Sequence, residues 1–237
     1  MSAGGRDRVL VLEHDADAPA GILADWAADR GIALEVHAWH ADDAHATAAP
    51  SDPTGRPFVV SLGSEASAFD DAVPWLAAER AVLDRAIAAG VPVLGICFGG
   101  QHLARALGGA VGRAVRPEVG WLDVETLAPE VVPGGRYLQW HRDAFAVPPG
   151  AALLARSPVS PQAFAHGPHL GVQFHPEGTP AIADGWATAY PASVTAAGTT
   201  VEDVRAGGAA HGEAARLRAH ALFDAFLARA TGYSPGR

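Results

Sequence analysis

The stretch GICFGGQ, at residues 95–101, decides the fold class because it places a sharp turn between a buried strand and a helix. The apolar run VPVLGIC that leads into it is typical of a central strand, and residues 101–107 continue with helical spacing. Glycines stand two residues before Cys97 and two and three residues after it. Small neighbours let strand and helix approach closely, and a strained turn exposes its central side chain. The stretch therefore predicts a nucleophile elbow in an α/β protein.

Around this elbow, strand and helix patterns alternate through the first half of the chain. Such alternation is typical of a mostly parallel central sheet with helices on both faces. The predicted strands are residues 8–14, 32–39, 58–63 and 91–97, and the predicted helices before the elbow are residues 18–30 and 73–89. The chain therefore begins as an α/β protein of the layered kind.

The second half changes to short predicted strands between Pro/Gly turns, which indicates antiparallel hairpins added to the parallel core. These strands are residues 110–115, 120–127, 137–140, 151–157, 163–165 and 169–174. From residue 180 the pattern is helical, and Gly207-Gly208 is predicted to break it before a last helix at about 213–230. We expect a single domain over residues 1–237, with a core at about 8–178 and a helical extension at about 179–232.

Composition excludes several classes of function. The net charge of −9 argues against a nucleic-acid binder, which needs a basic face. No apolar run approaches the roughly 18 residues of a membrane span, and the single cysteine cannot form an internal disulfide. We therefore expect a cytoplasmic chain that binds neither nucleic acid nor membrane.

The sequence also predicts no cofactor and no metal site. Glu13-His14-Asp15 follows the first strand, where a dinucleotide-binding protein has a glycine-rich loop. The histidines at 37, 40 and 45, near Asp42 and Asp43, fit no metal-ligand spacing and are interpreted as a solvated loop. His166 and His169 are interpreted as surface residues of a turn.

A second stretch, GVQFHPE at residues 171–177, carries a candidate base and its partner. Pro176 forces a turn after a strand, and side chains two residues apart in extended backbone project to one side. His175 and Glu177 therefore face the same way, and a carboxylate so placed can hold an imidazole in one tautomer. A histidine at the end of a strand with no chemical role is the alternative for this stretch alone.

The elbow has a similar pair of interpretations. The helix N-terminus behind Cys97 favours a thiolate through its unpaired N–H groups, and the N–H of Phe98 points to where an oxyanion would form. The alternative is a small buried cysteine whose glycine neighbours serve packing alone.

Taken together, GICFGGQ and GVQFHPE resemble the nucleophile-elbow and His-Pro-Glu signatures of class I (triad-type) glutamine amidotransferases. Within that family the sequence looks most similar to standalone GMP synthase-like domains. The resemblance covers about residues 8–178 and includes RPFVVSLG at 56–63, whose last residue corresponds to an oxyanion-hole glycine. Gly120-Trp121 and residues 139–143 resemble segments that line the glutamine pocket.

The resemblance implies a role for each matching residue. Cys97 would be the nucleophile, His175 the general base and acid, and Glu177 the residue that orients His175. Gly63 and Phe98 would supply the oxyanion-hole N–H groups. The substrate's amino-acid end would be bound by Gln101 and the main chain at Arg142 and Asp143. Many relatives have glycine where this chain has Arg142, and the binding expected there is mainly by main chain.

The resemblance implies hydrolysis of the glutamine side-chain amide to glutamate and ammonia, through a γ-glutamyl thioester. Residues beyond 178 are too few for a synthase domain of usual size, so we expect a separate synthase or ligase to receive the ammonia. Two alternatives stay open. A γ-glutamyl peptide or amide hydrolase would use the same residues on another γ-glutamyl compound, and a regulatory module would keep the fold without catalysis.

Overall fold

The computed structural model describes residues 7–41 and 49–231. Within these two ranges, nine strands form one sheet: β1 Val9–Glu13, β2 Leu34–Ala38, β3 Val59–Ser61, β4 Val93–Ile96, β5 Val111–Thr126, β6 Gly135–Phe145, β7 Ala152–Arg156, β8 Pro161–His166 and β9 His169–Val172. Six helices accompany it: α1 Gly21–Asp29, α2 Leu76–Ala88, α3 Phe98–Ala106, α4 Pro180–Ala189, α5 Pro191–Ala196 and α6 Val201–Thr231.

The sheet has a parallel half and an antiparallel half. Its order is β2-β1-β3-β4-β9-β8-β7-β5-β6, in which β2, β1, β3, β4 and β9 run parallel. The pairs β9-β8, β8-β7, β7-β5 and β5-β6 are antiparallel. This arrangement confirms the predicted parallel core with hairpins added by the second half of the chain.

The central strands are short and mostly apolar because both faces of the sheet are covered. All residues of β3 and β4 are buried, as parallel strands between two helical layers should be. Helices α1 and α6 pack in one hydrophobic cluster with the sheet, and α2 and α3 pack in a second one. The predicted cover of helices on both faces is therefore present.

Strand β5 corrects the prediction of two separate strands at residues 110–115 and 120–127. It runs without interruption for 16 residues, with a shift of register against β6 between Arg113 and Glu118. Pro117 lies in that interval and has no N–H to donate to a ladder. A bulge at Pro117 keeps the strand continuous, whereas in the sequence the proline resembles a break between two strands.

Helix α6 corrects the predicted break at Gly207-Gly208. The helix continues through both glycines, and the reason is close packing. A Cβ on Gly207 would lie 2.7 Å from Cδ1 of Trp121, and one on Gly208 would lie 3.2 Å from Cβ of Pro180. The glycines let α6 approach β5 and the start of α4.

The helical extension packs on the core through α6. Five buried residues of its second half share the cluster formed by α1 and the sheet: Ala219, Leu222, Phe223, Phe226 and Leu227. At the start of α4, Thr179 caps the helix by accepting a hydrogen bond from the N–H of Ile182 at 3.1 Å. None of the helices in the described ranges is long and apolar enough to cross a bilayer.

Candidate active site

The candidate residues meet at one edge of the sheet because each follows the carboxyl end of a parallel strand. Gly63 follows β3, Cys97 follows β4, and His175 follows β9. The carboxyl ends of neighbouring parallel strands open at the same edge, where ligands bind in α/β sheets. The fold thus brings the two sequence signatures, separated by 78 positions between Cys97 and His175, into one site.

Cys97 occupies the strained turn that its sequence predicts. Its backbone has φ 52° and ψ −108°, and it is the one non-glycine residue with positive φ in the described ranges. Its N–H donates to the carbonyl of Val172 at 2.8 Å, which ties the turn to β9. Behind it, a side chain on Gly99 would overlap the carbonyl of Ser61. The neighbouring strands therefore hold the backbone in a conformation that costs on the order of 1–3 kcal/mol elsewhere.

His175 and Glu177 form a buried hydrogen-bonded pair. Nδ1 of His175 lies 2.6 Å from Oε1 of Glu177, and only a few per cent of each side chain is exposed. The backbone N–H of His175 donates to the carbonyl of Leu138 at 2.8 Å, so both the backbone and the ring of this residue are held by hydrogen bonds. A carboxylate accepts, so Nδ1 donates, and Nε2 is the nitrogen left for chemistry.

The electrostatics of His175 depend on its two neighbours. Burial lowers the pKa of its imidazole, but the charges of Glu177 and Cys97 outweigh burial and raise that pKa well above the ordinary value. Within the part of the chain that the structure describes, Nε2 has no hydrogen-bond partner. Glu177 and Cys97 therefore favour the protonated form of the imidazole, the form it has after taking up a proton at Nε2.

Two backbone N–H groups at the site are also free. Neither Gly63 nor Phe98 donates its N–H to a protein acceptor among the described residues. Phe98 is the first residue of α3, where N–H groups have no partner inside the helix. A Cβ on Gly63 would lie 2.9 Å from Cε1 of His175, so only glycine lets this backbone lie against the imidazole.

A cleft in the described part of the chain opens directly on Cys97. It encloses about 290 Å³, and its polar lining includes Gln101, Arg142 and Asp143. A second cavity of about 40 Å³ lies on the side of Cys97 where His175 and Gly63 stand. The cysteine therefore separates a large compartment from a small one.

The predicted substrate-binding residues lie at the large compartment, but much of their hydrogen-bonding capacity is used within the protein. Gln101 donates to the carbonyl of Asp143 at 3.1 Å. The Asp143 carboxylate accepts from Ser67 at 2.6 Å and from Arg113 at 2.7 Å. Arg142 donates to the carbonyl of Glu65 at 3.1 Å and stays exposed.

One wall of the cleft is formed by residues that no pattern in the sequence had indicated. Ala192, Ser193 and Ala196 of α5 line the large compartment opposite the sheet. Conversely, Gly120 and Trp121 line a separate groove against α6, away from Cys97. The resemblance led us to expect these two residues at the candidate site, but they do not line the cleft at Cys97, whereas residues 140–143 do.

One histidine differs from its interpretation in sequence: His169 is buried in the β8-β9 hairpin, not on its surface. His102 is 1% exposed and lies next to Glu79. His141 lines the large cleft and lies 3.2 Å from Glu118. No cluster of three or more metal-binding side chains occurs in the described ranges, and Asp42, Asp43 and His45 lie outside them.

Comparison with known proteins places this geometry in a family. Residues 22–185 match the family model of glutamine amidotransferase class-I. A glutamine amidotransferase from Methylobacillus flagellatus has a similar structure, with a TM-score of 0.86, 24% identity and coverage of 94% of this chain and 95% of that one. One from Thermotoga maritima gives a TM-score of 0.82 at 23% identity, covering 94% of this chain and 98% of that one.

The protein is a class I glutamine amidotransferase by family. Among curated proteins it is GMP synthase-like: the GMP synthase [glutamine-hydrolyzing] of Xanthomonas campestris pv. campestris is 32% identical over 196 residues, or 76% of this chain and 35% of that protein. That of Aeropyrum pernix is 49% identical over 96 residues, or 37% of this chain and 19% of that protein. The chain therefore spans about a third or less of the length of these relatives.

The positive φ of Cys97 predicts that its glycine variant is more stable than its alanine variant, the reverse of the order expected in a helix. Cys97→Gly should be more stable than Cys97→Ala by about 1 kcal/mol, because glycine adopts positive φ without strain. Urea unfolding of both variants measures the difference. At Ala81, on the exposed face of α2, Ala81→Gly should instead destabilise by about 1 kcal/mol. An alanine variant at 97 as stable as the glycine variant would contradict the strained turn.

The surroundings of two buried histidines predict that their pKa values shift in opposite directions. The pKa of His175 should lie above the ordinary 6.5, whereas burial and the charge of His166 lower the pKa of His169 to about 4. Histidine side-chain NMR over a pH series measures both. Glu177→Gln keeps an acceptor but removes the charge, so it should lower the pKa of His175 and leave that of His169 in place. A His175 titration unchanged by Glu177→Gln would show that the pair does not set its charge.

Proposed function

We propose that this protein hydrolyses the side-chain amide of glutamine to glutamate and ammonia. The observation that carries the proposal is the strained, cleft-facing Cys97 beside the buried His175–Glu177 pair. The thiolate attacks the δ-carbonyl of glutamine, the C–N bond breaks, and the nitrogen leaves as ammonia. Water then attacks the γ-glutamyl thioester, which releases glutamate and restores the thiol.

In this proposal each residue has a defined part in moving protons and charge. His175 takes the thiol proton and gives it to the departing nitrogen through Nε2, and it later activates the water. Glu177 holds the tautomer through Nδ1. The free N–H groups of Gly63 and Phe98 stabilise the oxyanion of the tetrahedral intermediate. Gln101 and the main chain at Arg142 and Asp143 hold the amino-acid end in the large compartment.

The unequal compartments support glutamine as the substrate over bulkier γ-glutamyl compounds. Because His175 protonates the leaving nitrogen, the leaving group must lie on the side of the small cavity, which encloses about 40 Å³. A cavity that holds one water needs roughly 10–15 Å³ on this measure, so ammonia fits with little space beyond it. The side chains of Trp140, Trp186 and Tyr190 limit that space further.

We also propose that a synthase separate from these 237 residues consumes the ammonia. The similarity to proteins named GMP synthase [glutamine-hydrolyzing] supports such a partner, since these residues correspond to about a third or less of those proteins. In that arrangement glutamine hydrolysis by the isolated chain is weak and rises when the synthase binds. No nucleic acid or cofactor takes part in the proposed reaction.

Alanine substitutions test the assigned roles. Cys97→Ala and His175→Ala should each lower kcat by about 10⁴-fold or more, and Glu177→Ala should lower it less, because orienting a base contributes less than the base. His169→Ala removes a buried histidine far from the cleft and should leave kcat within about threefold. Circular dichroism verifies folding. Glutamine turnover that survives in Cys97→Ala, or after a thiol-alkylating glutamine analogue has labelled this single cysteine, would refute the proposal.

A series of γ-glutamyl amides with leaving amines of increasing size tests the small compartment. All of them form the same thioester, so differences in kcat/KM report the acylation step and the leaving-group side alone. We expect glutamine to be used best, and a branched or aromatic amide to lose at least about tenfold through misplacement against His175. Fast turnover of one bulky γ-glutamyl amide, with glutamine used poorly, would instead establish a γ-glutamyl amide hydrolase.

A further inference from the structure

A second carboxylate–imidazole pair lies buried beneath the site and has no part in the reaction described so far. His14 follows β1, Glu79 lies in α2, and both side chains are fully buried. Nε2 of His14 is 2.6 Å from Oε2 of Glu79, and the hydroxyl of Ser61 donates to Oε1 of the same carboxylate at 2.6 Å. Strands β1 and β3 and helix α2 therefore converge on one buried charge.

The other ring nitrogen of His14 reaches the active site. Its Nδ1 lies 3.1 Å from the carbonyl oxygen of Gly63. A carbonyl oxygen can only accept, so Nδ1 donates, and with an ionised Glu79 both ring nitrogens donate. Charge agrees with this geometry: burial lowers the pKa of His14, but Glu79 outweighs burial and raises it above its ordinary value. The charges of His14 and His102 in turn lower the pKa of Glu79 against the effect of burial.

The same imidazole also packs against the second residue that carries a free N–H. The ring of His14 lies 4.9 Å from that of Phe98 and 4.6 Å from that of Trp75, measured between centroids. His102, one turn along α3 from Phe98, contacts the Phe98 ring at 5.6 Å and places its Nδ1 3.7 Å from Glu79. His14 thus touches both sides of the oxyanion hole, Gly63 by a hydrogen bond and Phe98 by ring contact.

Stability alone does not account for a buried ion pair in this place. Desolvating two charges costs about as much as their attraction returns, and apolar side chains of similar volume are often as stable or more so. Apart from Ser61 and His102, the side chains packed around the pair are apolar, such as Trp75 and Phe98. The His14–Glu79 pair instead makes a hydrogen bond to the carbonyl of Gly63, and this bond fixes the direction of that carbonyl.

We propose that His14, held by Glu79, is a positioning residue of the oxyanion hole. Its hydrogen bond fixes the carbonyl of Gly63 and with it the backbone of the glycine whose N–H faces the intermediate. Glycine has the widest freedom of φ and ψ of all residues, so this backbone needs an external restraint. The inference rests on the proposed glutamine hydrolysis, because the oxyanion exists only during that reaction.

Two double variants of nearly equal shape test the hydrogen bond without leaving a charge buried alone. In Glu79→Gln, the amide accepts from Ser61 and donates to Nε2 of His14, so a neutral His14 keeps its bond to Gly63. In this background, His14→Asn retains a donor close to the position of Nδ1, and His14→Leu, with side-chain atoms arranged like those of asparagine, has none. Glu79→Gln alone is the reference, and His169→Gln is the control for a buried histidine elsewhere.

The expected readout is a difference in kcat between the leucine and asparagine variants. His14→Leu with Glu79→Gln should lower kcat by about 10- to 100-fold relative to the reference, with KM within about threefold, because the oxyanion hole acts on the transition state. His14→Asn with Glu79→Gln should recover most of that loss, and His169→Gln should behave as wild type. Equal kcat in the two double variants, or a loss confined to KM, would overturn the inference.

A measurement on the unaltered protein keeps the inference testable if the leucine variant does not fold. Glutamate γ-semialdehyde should form a thiohemiacetal with Cys97, whose oxygen occupies the oxyanion hole. The slowly exchanging Nδ1–H resonance of His14 should then shift, since the carbonyl it binds belongs to the same glycine. An unchanged resonance in the fully bound protein would overturn the inference. A wild-type protein that hydrolyses no glutamine would refute the proposed function itself, an outcome distinct from both.

Discussion

The structure depends on one constraint: the positive φ of Cys97 must be held against the preference of an L-residue. Hydrogen bonds from Cys97 N–H to Val172 and from Gly99 N–H to Leu62 tie the turn to the strands on either side of it. The helix after the turn can lie this close to β3 only because Gly99 has no side chain. The order of the strands, the direction of α3 and the glycines of the elbow therefore all serve to hold the positive φ of Cys97. A change in any of them would let this backbone relax.

From this turn the rest of the site follows by topology. With β4 between β3 and β9, the residues that follow the two neighbouring strands, Gly63 and His175, lie beside Cys97 and against each other. The chain then adds what a bare parallel sheet lacks. Residues 140–143 of β6 and the short helix α5 close the large compartment, while Trp186 of α4 packs against the ring of His175 at 4.9 Å. The extension after residue 178 thus contributes directly to the walls around the cysteine.

The features that the sequence predicts correctly depend on neighbouring residues or on the periodic spacing of apolar residues. The alternation of strands and helices, the elbow at Cys97 and the pairing of His175 with Glu177 all depend on residues a few positions apart. The errors have a common physical cause, which is contact between distant segments. Gly207 looks like a helix breaker until Trp121 is seen to occupy the space a side chain would need. His169 looks like a turn residue until the β8-β9 hairpin is folded onto the sheet and buries it.

The two carboxylate–imidazole pairs illustrate the same limit at the site itself. His175–Glu177 and His14–Glu79 have the same chemistry and the same 2.6 Å separation, and they approach Gly63 from different directions. His175 lies where a side chain of Gly63 would be, and His14 lies on its carbonyl. The first pair spans two positions of sequence and is visible as a motif, whereas the second spans 65 and is created only when α2 packs on β1 and β3. Both restrain one glycine, so the backbone of Gly63 is held from its side-chain face and from its carbonyl at once. Two histidines that are distant in sequence, His14 and His175, thereby fix the orientation of Gly63, which has no side chain of its own.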